Sequence, residues 1–295
     1  MKRSTAIVLG LVVLLIVALL FHRAPREQKP PRPPKPAAAV EPPALEPAAV
    51  AVETPKPSPR PPSPPKPVEL PPNVPVEEVK PGTVRGIVQI LGVPPRRRKV
   101  RLEVDPKCRA LHTGDVLSDD IVVDPANNVR WAFVYVARGN TGAAPPGALP
   151  PVLLDQVGCK FEPHVLGVRV NQPLNIFNND NLLHNVHSLP FENKEWNFGL
   201  PTPGLYETKR FTKPEVMIKI VCDIHPWMRA WVGVLDHPYF SVTSETGAYG
   251  IVNLPPGRFL IKAWHERYAT VEREVEVPSG GDVRLDFYLD AQKAD

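Results

Sequence analysis

The sequence lacks the features that would mark a nucleic-acid-binding protein or a bacterial lipoprotein. Aromatic residues make up only 7% of the 295 residues, and the one dense basic run, residues 96–99, contains none. A net charge of +4 without a basic, aromatic-rich face predicts no nucleic-acid partner. No cysteine follows the apolar run near the N-terminus, which excludes lipid attachment there, and no small-x-small cleavage signal follows it either.

Residues 1–23 contain a basic start, a run of about 17 apolar residues and a basic flank. Because a cleavage signal is lacking, the segment is expected to stay as a transmembrane anchor; a cleaved signal peptide is the alternative. The anchor would hold the chain on the periplasmic or extracytoplasmic side of the cell inner membrane, whereas cleavage would make the protein secreted.

Large apolar residues are scarce from residue 24 to 81. This stretch holds about half of the chain's 40 prolines, with many Ala, Lys and Glu residues. Such a composition cannot build a core and favours extended polyproline II structure. We expect a disordered Pro-rich tether between the anchor and the globular part.

A soft-metal loop follows much later in the chain. Cys222, His225 and Met228 are spaced three residues apart between two β-prone runs, residues 216–221 and 230–235. A thiolate, imidazoles and a thioether are the ligands of a copper electron-transfer site, which needs one more imidazole. His184 and His187, about forty residues upstream, are the candidates.

Residues 151–236 resemble the cupredoxins, the small blue-copper β-sandwich proteins, and amicyanin most of all. The shared motifs are Cys-x-x-His-x-x-Met and the tetrad His-Asn-Val-His. The resemblance implies a Greek-key sandwich with one type 1 copper ion, and Asn185 as the residue that links the ligand loops. The implied ligands are His184, Cys222, His225 and Met228. His187 is then expected to pack or to face solvent.

The same resemblance implies how the site meets a redox partner. The loop histidine of these proteins reaches an apolar surface patch, so Pro226 and Trp227 are expected to dock a partner such as a c-type cytochrome or a dehydrogenase. The alternative for Trp227 is a buried neighbour of the loop. Zinc is the rival ion, because it also accepts cysteine and histidine ligands, but Met228 favours copper.

Residues 237–290 resemble the carboxypeptidase-regulatory, transthyretin-like β-sandwich family. They carry a Thr-x-x-x-Gly-x-Tyr turn that begins at Thr243, and then Leu-Pro-Pro-Gly from Leu254. Residues 82–150 open on a strand similar to that family's first strand. We therefore expect one immunoglobulin- or transthyretin-like sandwich split between 82–150 and 237–290, with the copper domain inserted; domains in series are the alternative.

Cys108 and Cys159 remain once Cys222 is assigned to the metal. An even pair in an oxidising compartment favours a disulfide between them. The alternative is a second metal site built from Cys159 and His164, which would leave Cys108 as a free thiol.

The sequence thus predicts an all-β protein of two sandwiches that carries single electrons and is not an enzyme. Four protein ligands leave no open position for a substrate on the copper. Two alternatives stay open: a copper-binding or copper-delivery protein, and a structural or adhesion module with a vestigial copper site.

Overall fold

A computed structural model describes residues 79–142 and 148–293 of the chain. The predicted anchor, residues 1–23, and almost all of the predicted tether lie outside these residues. Within the described ranges, none of the helices is long and apolar enough to cross a membrane. The predicted all-β class is confirmed, because strands dominate the described part and helices are short.

The strands of the described residues are labelled in chain order. They are β1 (Gly82–Leu91), β2 (Val122–Val123), β3 (Val129–Arg130), β4 (Phe133–Arg138), β5 (Val152–Gln156), β6 (Phe161–Glu162), β7 (Val165–Arg169), β8 (Leu174–Phe177), β9 (His184–Leu189), β10 (Asn197–Leu200), β11 (Tyr206–Lys209), β12 (Glu215–Val221), β13 (Arg229–Leu235), β14 (Phe240–Val242), β15 (Ala248–Leu254), β16 (Gly257–His265), β17 (Tyr268–Val277), β18 (Asp282–Arg284) and β19 (Phe287–Asp290). A short helix, α1, spans Pro106–Ala110, and 3-10 turns span Leu102–Val104 and Ala291–Lys293.

The first sandwich combines strands from both ends of the described chain. In one sheet, β1 pairs with β15, β18 and β19; in the other, the order is β14-β4-β16-β17. Buried side chains of both sheets, such as Val88 on β1 and Ile261 on β16, share one core. We call this unit the split sandwich, since its strands flank residues 152–235 in sequence.

The second sandwich is built from the residues between those two segments. One sheet has the order β10-β9-β12-β13-β7 and the other β11-β8-β5-β6. Most neighbours are antiparallel, but β13 with β7 and β5 with β8 are parallel. Its core contains Ile176, Ile218 and Val232, all fully buried. We call this unit the metal-site sandwich, because it carries the candidate ligands His184, Cys222, His225 and Met228.

Residues 98–120 lie between β1 and β4 in sequence but pack on the metal-site sandwich. Leu102 and Cys108 belong to that sandwich's core cluster, and Val100 and Val116 pack against it. We call residues 98–120 the cap. The cap therefore connects strands of the split sandwich in sequence but packs against the metal-site sandwich.

The two sandwiches contact each other where aromatic rings of one pack against glycine residues of the other. A Cβ atom added at Gly233 would lie 2.4 Å from the ring of Phe133, and one added at Gly167 would lie 2.3 Å from the ring of Phe240. Side chains at these two positions of β7 and β13 would collide with β4 and β14. Glycine therefore allows the two units to approach closely.

His265, at the end of β16, is expected to make the stability of the split sandwich sensitive to acid. Burial lowers the pKa of His265 to about 4, whereas the unfolded chain titrates near 6.5. The contribution of His265 to the free energy of unfolding is therefore complete above pH 6.5. It is lost as the pH falls toward 4, on the order of 3 kcal/mol in all.

Denaturant unfolding at several pH values checks this expectation. His265→Asn, which retains an acceptor for the backbone N–H of Arg267, should remove most of the loss between pH 6.5 and 4. His187→Asn is the matched control and should not reduce this loss. Hydrogen bonds with Glu195 and Asp223 raise the pKa of His187, which is the opposite direction to the shift of His265. An acid loss of equal size in the wild type and in His265→Asn would contradict the assignment.

Candidate metal centre

The loop from Cys222 to Met228 joins β12 to β13, as the β-prone flanks predicted. It folds back on itself through two backbone hydrogen bonds: the N–H of Cys222 donates to the Met228 carbonyl at 3.2 Å, and the N–H of Met228 donates to the His225 carbonyl at 2.9 Å. The bonds turn three potential ligands of one short loop toward the interior of the metal-site sandwich.

The structure brings His184, Cys222 and His225 together, with candidate ligand atoms all within 4.8 Å of one another. The Nδ1 atoms of the two histidines are 2.9 Å apart, and Cys222 Sγ lies 3.7 Å from His225 Nδ1. The three side chains are 0%, 1% and 2% exposed. Met228 is also buried and belongs to the same core cluster as Cys222.

Hydrogen bonding changes the protonation of this cluster. Burial alone would raise the pKa of Cys222, but hydrogen bonds with His184 and with the backbone of the ligand loops lower it below its usual value. Burial also opposes a charge on His184, yet its bonds with Asp180 and Cys222 raise the pKa of His184 to about 9. The sulfur is therefore favoured as a thiolate, the form in which cysteine binds metals.

The residues present fit a copper ion. A thiolate and two imidazole nitrogens surround one point, and a buried thioether belongs to the same loop, which is the donor set of an electron-transfer copper site. The Nδ1 atoms, 2.9 Å apart, can both reach an ion at the distance of about 2 Å that is typical of metal–imidazole bonds. Zinc would use the cysteine and histidines but has no use for Met228.

Asn185 ties the two ligand segments together. Its Oδ1 accepts the backbone N–H of Asp223 at 2.7 Å and lies 3.3 Å from Cys222 Sγ. Its Nδ2 donates to the Asp223 carboxylate at 2.8 Å. Asn185 follows His184 directly on β9, so these contacts fix the loop relative to the strand that supplies the distant histidine.

Asp180 holds the far side of the His184 ring. Its carboxylate lies 2.9 Å from His184 Nε2 and accepts the backbone N–H groups of Gly158 and Cys159, both at 2.7 Å. A carboxylate on the remote nitrogen orients a metal-binding imidazole and fixes which nitrogen faces the metal. In the sequence Asp180 stands four residues before His184, with no partner indicated.

Asp105 holds the far side of the His225 ring, and it comes from the cap. Its Oδ2 lies 3.1 Å from His225 Nε2. Its Oδ1 accepts the backbone N–H of Lys107 at 2.8 Å, because Asp105 is the N-terminal capping residue of helix α1. These bonds keep the pKa of Asp105 below its usual range. Asp105 lies 120 residues before His225 and belongs to no motif, so this pair could not be predicted from the sequence.

The cap corrects the expectation that the edge of His225 reaches an apolar surface patch. His225 is only 2% exposed, and its outer nitrogen meets a carboxylate instead of solvent or apolar side chains. Pro226 is exposed, but Trp227 is half-buried. The indole N–H of Trp227 donates to the Cys159 carbonyl at 3.0 Å, and the side chain packs against the core of the metal-site sandwich. The docking role of these two residues stays a prediction.

Cys108 and Cys159 form a disulfide, with the Cα atoms 5.7 Å apart. Because the sulfur of Cys159 is bonded in this way, the alternative metal site of Cys159 with His164 is not formed. His164 is instead held by the Glu266 carboxylate and by the Arg229 carbonyl. Sequence reasoning missed Glu266, which lies 102 residues further along the chain and belongs to the split sandwich.

His187 lies outside the cluster, although it shares β9 with His184. Its ring makes hydrogen bonds with the Asp223 carboxylate at 3.1 Å and the Glu195 carboxylate at 2.8 Å. The two histidines of the tetrad therefore differ in environment: His184 is fully buried and His187 lies near the surface. Only the first points its Nδ1 atom at the loop histidine.

No family model matches the chain, and no curated protein is similar to it in sequence. About a third of the chain is similar to solved cupredoxin structures. A purple cupredoxin from Nitrosopumilus maritimus is 21% identical, with 28% of this chain and 97% of that chain covered and a TM-score of 0.24. A mutant amicyanin in its Cu(I) form is 23% identical, with 34% and 97% covered and a TM-score of 0.26.

A copper-containing nitrite reductase from Thermus scotoductus is also similar, at 27% identity and a TM-score of 0.26. The match covers 34% of this chain and 25% of that enzyme's chain, so this protein spans about a quarter of the enzyme's length. TM-scores this low assign no function.

Proposed function

We propose that the protein binds one type 1 copper ion at His184, Cys222, His225 and Met228 and acts as a one-electron carrier. The observation that carries this proposal is the buried cluster in which the candidate ligand atoms of His184, Cys222 and His225 all lie within 4.8 Å of one another. Copper in such a site supplies one-electron chemistry by cycling between Cu(I) and Cu(II).

Each ligand has a separate part in this function. Cys222 would hold the ion through its thiolate, and His184 and His225, whose outer nitrogens each contact a carboxylate, would hold it through imidazoles that cannot turn freely. Fixed ligands would lower the rearrangement that accompanies each electron transfer. Met228, whose backbone N–H is bonded within the loop, would supply the thioether that tunes the potential.

The chemistry of the site favours a carrier over an enzyme. Protein groups fill all four proposed positions and the two histidines and the cysteine are shielded from water, so no open position receives a substrate. The cellular setting that we propose is the periplasmic side of the inner membrane, with residues 1–23 as anchor and residues 24–81 as tether. A c-type cytochrome or a dehydrogenase is the proposed partner.

The optical and electron paramagnetic resonance spectra of the full chain after addition of Cu(II) test the metal site. We expect an intense thiolate-to-copper band and a narrow copper hyperfine splitting, both lost in Cys222→Ala and in His184→Asn. His187→Asn is the matched control, since it changes the other histidine of the tetrad and should keep both signals.

Two results would overturn the electron-carrier assignment. A pale, ordinary Cu(II) spectrum in the wild type would remove the type 1 site and leave the structural or adhesion role. A blue site that loses copper to a chelator within seconds would point to copper delivery. Retention of copper over hours, with reversible oxidation and reduction, is the outcome that supports the carrier.

A further inference from the structure

The outer nitrogens of the two proposed histidine ligands contact two carboxylates, and a disulfide links the segments that carry these contacts. We call Asp105, Cys108, Cys159 and Asp180 the frame. Asp180 contacts His184, and it accepts the backbone N–H of Cys159. Asp105 contacts His225, and it accepts the backbone N–H of Cys108 at 3.4 Å. The disulfide between Cys108 and Cys159 closes the frame on the side away from the Nδ1 atoms.

The sulfurs of this disulfide lie close to the imidazoles. Candidate ligand atoms of Asp105, Cys108 and His225 are all within 4.8 Å of one another, and the same is true of Cys159, Asp180 and His184. Both cysteines are fully buried.

We propose that Asp105 is a positioning residue for His225, held in place by the Cys108–Cys159 disulfide, so that a segment of the split sandwich completes the metal site from outside. This inference rests on the proposed copper function. With Nδ1 directed to the metal, Nε2 carries the proton and donates to Asp105, which fixes the ring's rotation.

The placement of Asp105 depends on how the cap is attached. Besides the disulfide, His112 Nε2 lies 2.9 Å from the Gly158 carbonyl, and Lys160 forms an ion pair with Asp119. Leu102 fills part of the metal-site core. The disulfide is the covalent attachment among these contacts, and it lies three residues after Asp105, so it controls the position of the carboxylate most directly.

The charge of Asp105 has an effect separable from its geometry. A carboxylate near the metal stabilises Cu(II) over Cu(I), because the oxidised ion has the larger positive charge. Removing that charge is expected to shift the Cu(I)/Cu(II) ratio about tenfold toward Cu(I) at the same ambient potential, which corresponds to 59 mV for a one-electron couple.

Three variants of the full chain separate these effects. Asp105→Asn retains an oxygen that can accept from His225 Nε2, so the copper spectrum should stay while the potential rises. Asp105→Ala removes the acceptor as well, so the hyperfine splitting should widen in addition. Asp115→Asn is the matched control: this cap residue is exposed and pairs with Lys99 instead of the site, and it should change neither readout.

A second readout uses the metal-free protein. Nuclear magnetic resonance of the histidine rings should show a slowly exchanging Nε2 proton on His225 in the wild type and in Asp115→Asn. Asp105→Ala and the double variant Cys108→Ser/Cys159→Ser should both lose the signal. Because this measurement needs no copper, the frame is still tested if the wild type fails to give a blue site.

The proposal is overturned if Asp105→Ala retains the wild-type potential, splitting and protected proton. It is also overturned if the double cysteine variant, when folded, keeps the protected proton, since the disulfide would then not hold Asp105. Equal changes in Asp105→Asn and Asp115→Asn would assign the shift to surface charge in general.

Discussion

Serine at both Cys108 and Cys159 is expected to lower the free energy of unfolding by about 4 kcal/mol. The two cysteines are 51 residues apart. Opening a loop of this length increases the conformational entropy of the unfolded chain and so stabilises the unfolded state. The cost should not be recovered in the folded state, because both sites are fully buried and a serine hydroxyl there lacks solvent.

Denaturant unfolding of the double variant measures this loss. The wild type with a strong reductant should approach the stability of the variant, whereas the same reductant should leave the variant unchanged. A loss below about 1 kcal/mol would mean that the cap is held by its noncovalent contacts, and that the unfolded chain gains little freedom when the loop opens.

Phe133→Ala is expected to destabilise the protein by about 3–5 kcal/mol. The ring is completely buried where the two sandwiches meet, and it packs against Phe240 with a centroid distance of 5.5 Å. Gly167 and Gly233 face it with backbone alone. These glycines have no side chain that could move into the space, so the cavity should remain largely open.

The same substitution at Phe191 is the matched control. Phe191 is 94% exposed, so its replacement by alanine should change stability by less than about 0.5 kcal/mol. Thermal and denaturant unfolding of the two variants give the comparison. A loss below about 1.5 kcal/mol for Phe133→Ala would show that the sandwiches close up over the missing ring.

Local patterns in the sequence were enough to predict the strands around the site. β12 and β13 are short apolar, β-branched runs, and a loop with Cys222 and His225 between them has few ways to fold. Spacing singled out Cys222 and His225, whereas the choice of His184 over His187 came from the resemblance to the cupredoxins; the structure brings these three together. That all four hold copper stays a prediction.

The surroundings of the site could not be predicted from sequence, because they depend on contacts between distant segments. Asp105 and Asp180 are ordinary acidic residues until folding brings them to the outer nitrogens of two histidines. The cap reverses the expected exposure of His225, and it does so through residues that precede the metal-site sandwich. A family resemblance limited to residues 151–236 carries no information about a cover supplied from elsewhere.

The pairing of β1 with β15 has a consequence for the order in which the protein can fold during synthesis. Gly82 is opposite Leu254, so β1, the first of the described strands to leave the ribosome, lacks this neighbour until about 170 more residues have followed. Long separations of this kind slow folding, and an unpaired apolar strand is a place where chains aggregate. All strands of the metal-site sandwich are synthesised before β15, and β1 must avoid aggregation until β15 is available to pair with it.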